Sequence, residues 1–101
     1  MILHLVLFRF KAGTTSDRIA QAGEALLAMR RNIPEIRDIR WGLNLGPSAG
    51  EYSHVLSVAL DDMAAVQRYL DHPVHRQTLA EQLADIREAR LAVDVEADRT
   101  L

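Results

Sequence analysis

The chain has 101 residues, a formal net charge of −2, 49% hydrophobic residues, 5% aromatic residues and no cysteine. That is one domain, spanning residues 1–101, with apolar material for one core; lacking cysteine, it has no disulfide, thiolate metal site or thiol nucleophile. Acidic and basic residues alternate along it, so it offers neither the clustered positive face nor the stacking aromatics that nucleic-acid binding requires.

Residues Ile2 to Lys11 read as a strand. Ile2, His4, Val6, Phe8 and Phe10 share one face; Leu3, Leu5, Leu7, Arg9 and Lys11 share the other. Both faces are apolar near the start, as in a central strand covered on both sides. Met1 to Phe10 lacks the basic leader and small-residue cleavage site of a signal peptide. No apolar run approaches a membrane span. Cytoplasm is the expected location, and no membrane partner is expected. Gly13 to Asp17 reads as a turn followed by helix-capping residues. Ile19, Ala22, Leu26, Met29 and Ile33 then recur at helical spacing, which predicts an amphipathic helix over 16–32. Asn32 and Pro34 end it.

Ile36 to Leu45 reads as a second strand and Tyr52 to Leu60 as a third. Gly46-Pro47-Ser48-Ala49-Gly50 forms the loop of the hairpin between them. Gly42, Gly46 and Gly50 read as bulge and turn glycines. Asp61 or Asp62 caps a short second helix bearing Met63, Val66 and Leu70, which stops at His72-Pro73. Pro73 suits the first position of a third helix, where its missing N–H costs nothing. That helix carries His75, Leu79, Gln82 and Ile86 at helical spacing, and the charged span from Glu81 to Arg90 reads as its solvated face. Leu91 to Glu96 alternates as a final strand, with Leu91, Val93 and Val95 on one face. The polar C-terminal residues are expected to fray.

The order β-α-β-β-α-(α)-β is the split βαβ arrangement: an α+β, ferredoxin-like fold with a four-stranded antiparallel sheet and helices on one face. The other face carries Leu3, Leu5 and Leu7, and one chain has nothing left to cover it. A second copy, sheet against sheet, would cover it, which predicts a homodimer closed into an α+β barrel.

In this topology the first and third strands are expected side by side and parallel, so that His4 and His54 are lateral neighbours at one end of the sheet. The second helix is expected to return its C-terminus to that end, bringing Tyr69, His72 and His75 to the same place. Singly, each residue has a structural role open to it. His4 and His54 can be hydrogen-bonded strand histidines, His72 can cap the third helix, and Tyr69 can be core. His75 is the strongest candidate for chemistry. It lies in the first turn of a helix on an inward stripe, where a positive helix end and burial disfavour the imidazolium. A neutral imidazole is what a general base needs at neutral pH. A metal site is the rival reading of a histidine cluster. However, no His-x₃-His or His-Glu-x-x-His spacing occurs, and His72 and His75 straddle a proline. No metal and no cofactor are expected. There is no nucleotide loop, serine elbow or pair of carboxylates placed for acid–base work.

Several stretches in order carry a resemblance. They are His4-Leu5-Val6-Leu7-Phe8-Arg9-Phe10-Lys11, Asn32-Ile33-Pro34, Trp41-Gly42, Tyr52-Ser53-His54, Tyr69-Leu70-Asp71-His72-Pro73-Val74-His75, and Val93-Asp94. Together they resemble the stress-responsive dimeric α/β-barrel family, Dabb, over nearly the whole chain; the His-Pro-x-His after a tyrosine is the most specific part. The resemblance implies a ferredoxin-like protomer and a dimeric barrel, and it fixes no activity. A plant branch of the family is similar to cofactor-free polyketide cyclases, in which the second histidine of His-Pro-x-His and the preceding tyrosine act on the substrate. These positions are His75 and Tyr69 here, and the pocket histidines of the strands fall on His4 and His54. That branch lines its pocket with a first-helix tyrosine where this chain has Leu26, so a greasier pocket is expected. Related barrel families include cofactor-free monooxygenases of aromatic polyketides, by fold analogy alone.

Two functions are therefore carried forward. In one, a small, mostly apolar carbonyl compound enters between helices and sheet, His75 removes a proton beside the carbonyl, and Tyr69 orients His75 or supports the enolate. His4, His54, Leu26 and His72 then line or brace the site. In the other, the same fold binds a metabolite or serves a stress-response role without turnover. A cleft of several hundred Å³ points to a ligand; one filled by Leu26, Met29 and Leu79 points to structure.

Overall fold

The computed structural model describes residues 1–47 and 50–97. Ser48 and Ala49 of the expected hairpin loop, and the C-terminal residues expected to fray, lie outside the described residues. The elements are β1 (Ile2–Phe10), α1 (Ser16–Ala28) extended by a 3₁₀ turn (Met29–Arg31), β2 (Asp38–Leu43), β3 (His54–Leu60), α2 (Met63–Asp71), α3 (Pro73–Gln82) and β4 (Arg87–Glu96). The helix starts are locally encoded. The Thr15 side chain accepts from the Arg18 N–H, and Asp62 accepts from the Ala65 N–H at 2.8 Å, each satisfying an amide that the first helical turn leaves unpaired.

The four strands form one antiparallel sheet in the order β2-β3-β1-β4, a ferredoxin-like fold. Ile2, His4, Val6 and Phe8 are buried on the face that the helices cover, with Leu26, Met29, Ile33, Leu56, Val66 and Leu83 in the same core. The first helix also packs tightly on the sheet edge. An added Cβ at Gly23 would lie 2.4 Å from Trp41 Nε1, so only glycine lets the indole approach α1. The opposite face of the sheet stays open: Leu91, Val93 and Val95 are 50%, 40% and 43% exposed, beside Leu3, Leu5 and Leu7 across the β1–β4 ladder.

Two expectations need correction. The strands β1 and β3 are antiparallel, with Phe8 opposite His54 and His4 opposite Val58. The crossover through α1 sets β2 parallel in direction to β1, and the hairpin then reverses β3. His4 and His54 thus share a face but sit four residues apart along the sheet, about 13 Å. In addition, β4 begins at Arg87, four residues before the expected start, and Ile86 falls in the connection after α3. The Arg87–Arg90 span lacks strand-like composition, but pairing with β1 through Phe10↔Arg87 and Phe8↔Arg90, across a bulge between Arg9 and Phe10, overrides local preference.

Candidate functional site

Three of the candidate residues meet on the helix-covered face. His4 is contributed by the centre of the sheet, Tyr69 by the last turn of α2 and His75 by the first turn of α3. The Tyr69 ring lies 5.8 Å from His4, edge-on, and 4.6 Å from His75. All three are buried. The bend that delivers His75 is built by His72: its Nδ1 accepts from the Val74 N–H at 3.1 Å, and Pro73 occupies the first helical position. His72 is thus the N-cap of α3 and does not line the cavity.

His4 has a partner that sequence reasoning missed. Asp94 stands directly across the β1–β4 ladder, and its Oδ1 lies 2.6 Å from His4 Nδ1. An ionised carboxylate only accepts, so Nδ1 carries the hydrogen and the ring is fixed with Nε2 on its far side. The available signal was the alternation of the strand, which puts Asp94 on the face opposite Val93 and Val95, the face that His4 shares.

Burial is the main cause that pushes the His75 imidazole down to about 4. The Leu70 carbonyl partly offsets it, while His4, Arg90 and Arg76 press in the same direction as burial. The ring is therefore neutral at physiological pH, and its buried Nδ1 makes no hydrogen bond of ordinary length among the described residues, the Leu70 carbonyl being the backbone acceptor that bears on the ring. Burial raises the Tyr69 hydroxyl above its ordinary range, so it is a protonated donor.

Around these groups lies a cavity of about 50 Å³ lined by His4, Tyr69 and His75, with apolar walls from Val6, Phe8, Leu56, Leu70 and Leu79, and with Arg87 and Arg90 from β4. It is far smaller than the several hundred Å³ of a site that encloses a whole ligand. Leu26 is fully buried in the core and does not line it. The cavity has room for a small group or a few waters.

His54 is elsewhere. It stacks on Trp41 at 5.2 Å and meets Phe10 edge-on, and its Nδ1 lies 2.8 Å from Ser53 Oγ. Burial lowers its pKa. It opens onto a second, shallower cleft of about 320 Å³ between α1 and the β2 edge, lined by Gly23, Glu24, Leu27, Trp41 and Leu43 among others. Among the described residues no group of three histidine or carboxylate side chains is placed to hold a metal ion, and no helix is long and apolar enough to cross a membrane.

Comparison with known proteins gives a consistent picture. The stress-responsive A/B barrel domain family matches residues 2–97. An uncharacterized protein of Streptomyces coelicolor is 36% identical over 84 residues, 79% of this chain and 84% of that protein. A crystal structure from Thermobifida fusca, described as a dimeric ferredoxin-like protein of unknown function, is 34% identical over 95% of this chain and 90% of its own, with a TM-score of 0.81. A hydroxynitrile lyase from Passiflora edulis superimposes with a TM-score of 0.85 over 99% of this chain and 95% of its own; at 19% identity it shares the fold alone.

Proposed function

Since the chain belongs to the stress-responsive A/B barrel domain family, whose fold serves more than one activity, we propose that its function is to bind a small carbonyl compound and act on it by acid–base chemistry, with His75 as the base. The observation that carries this reading is a buried, neutral imidazole, with no ordinary-length hydrogen bond at Nδ1 among the described residues, packed on a protonated tyrosine in the wall of a cavity. The His75 ring takes a proton from the carbon beside the carbonyl. The C–H electron pair becomes the enolate double bond and the carbonyl π pair moves to oxygen, where Tyr69 O–H donates a hydrogen bond. In an aldol closure of the polyketide-cyclase type, the enolate carbon then attacks a second carbonyl carbon, and the alkoxide formed recovers the proton from His75. Substrate and side chains supply every proton and electron pair in this sequence. His4, held by Asp94, turns Nε2 toward the reacting end, while the remainder of the substrate lies outside the small cavity.

The same reading pairs two copies through the open sheet face, which the dimeric description of the Thermobifida relative supports. Covering Leu91, Val93 and Val95 removes apolar area from water.

The test is deuterium exchange at the central carbon of 2,4-pentanedione in D₂O, followed by NMR. The wild type accelerates exchange, and His75→Gln reduces the rate by about 10²- to 10⁴-fold with an unchanged circular dichroism spectrum. Equal rates for the two proteins remove His75 from the role of base. One observation favours a second reading. The cavity is small and His4, Tyr69 and His75 are buried, as in a non-catalytic protein whose histidines form a polar seam within the core. Under that reading His75→Gln changes stability alone.

A further inference from the structure

Most arginines among the described residues are neutralised. Arg9, Arg18, Arg30, Arg37, Arg40, Arg68 and Arg76 each lie within ion-pair distance of a carboxylate. Arg31, which is not in the cavity lining, and the pair Arg87 and Arg90 do not: none of these three guanidiniums has an ion-pair or hydrogen-bond partner among the described residues. Yet Arg87 and Arg90 line the His4–Tyr69–His75 cavity, and Arg90 is close enough to act on the His75 ring. Their position is set by the sheet. Arg90 is paired with Phe8 and Arg87 with Phe10, across the bulge that shifts the β1–β4 register, so both come to the cavity from one strand. The nearest carboxylates on β4 are committed elsewhere: Glu88 to Arg9 at 3.2 Å, and Asp94 to His4. Two guanidiniums with no carboxylate partner, beside a cavity whose other polar groups are His4, Tyr69 and His75, have the donor geometry that planar anions take.

We infer that Arg87 and Arg90 form an anion subsite at the mouth of this cavity and that the compound it takes is a compact carbonyl compound bearing a carboxylate. This deepens the proposed function and rests on its assignment of the cavity as the substrate site. The cavity holds the carbonyl end, and the carboxylate sits outside it against the arginines, which accounts for a volume too small for a whole ligand.

Levulinate and methyl levulinate are the probes, titrated at neutral pH in an anion-poor buffer and followed by protein NMR shifts. Levulinate should bind at least ten-fold more tightly than its ester. In the Arg87→Gln/Arg90→Gln double variant the two should bind equally, at the affinity of the wild type for the ester, with an unchanged Tm because neither side chain has a partner in the fold to lose. Arg31→Gln, a change remote from the cavity, should keep the full preference. Equal binding of acid and ester by the wild type overturns the inference, as does absence of levulinate binding at about 10 mM. Inorganic phosphate binding more tightly than levulinate overturns the carboxylate assignment. Exchange of 2,4-pentanedione, which carries no carboxylate, separates the two proposals: its loss of acceleration strikes at His75, while the acid-over-ester preference stands or falls with the arginines.

Discussion

The depressed pKa of His75 makes a prediction about stability that requires no knowledge of the substrate. In the folded chain the ring titrates at about 4, against an ordinary value of 6.5. Between those pH values the unfolded chain binds a proton that the folded chain refuses, so stability rises with pH across that window. The contribution of His75 is complete above about pH 6.5, is lost progressively as pH falls, and stops changing below about pH 4. At about 1.4 kcal/mol per unit of separation, the ceiling is about 3.5 kcal/mol. The cavity opens to water and screens part of this, so about 2 kcal/mol is expected. The assay is urea unfolding of the wild type and His75→Gln at a series of pH values, at one fixed protomer concentration because association adds its own stability. The substitution can shift the whole curve; the informative quantity is the difference in slope between the two proteins. His54, whose pKa burial also lowers, is present in both and cancels. Parallel curves from pH 7 to pH 4 would refute the assignment of a neutral, buried His75.

Two further outcomes follow from the same geometry. Asp94→Ala leaves His4 Nδ1 on a ring only 4% exposed without its 2.6 Å partner, and should cost about 1–3 kcal/mol of unfolding free energy; combining it with His4→Phe should recover part of that loss in a double-mutant cycle, and strict additivity would show that the pair is uncoupled. Val93→Glu places a charge midway along β4 on the open sheet face, opposite Leu5; sedimentation should show a dimeric wild type and a dissociation constant raised at least about a hundred-fold in the variant, while an unchanged dimer would move the interface elsewhere.

Features set by local chemistry were readable from the residues. The caps at Thr15, Asp62 and His72 and the proline that starts α3 depend only on neighbours two or three positions away, and the alternation of β1 assigns its two faces correctly. What was misread depends on partners far along the chain. The direction of β3 follows from counting reversals through the crossover and the hairpin, and an error there displaced His54 from His4 by half the sheet. The early start of β4 was hidden because Arg87, Glu88 and Arg90 resemble a solvated helix face until β1 is laid beside them. The close packing of Trp41 on Gly23 has no signature in spacing at all.

These misreadings share a physical cause that bears on the site. The residues most easily read, Tyr69, His72 and His75, lie within one helix-turn-helix, whereas Asp94, which holds His4, and Arg87 and Arg90, which line the cavity, belong to β4 and are placed by the register of the β1–β4 ladder. A one-residue slip in that ladder would turn Asp94 away from His4 and the arginines away from the cavity. The continuous register from Ile2↔Glu96 to Arg9↔Ala89 sets the face of Asp94 and Arg90, and the bulge between Arg9 and Phe10 adds Arg87 to that same face, opposite Phe10.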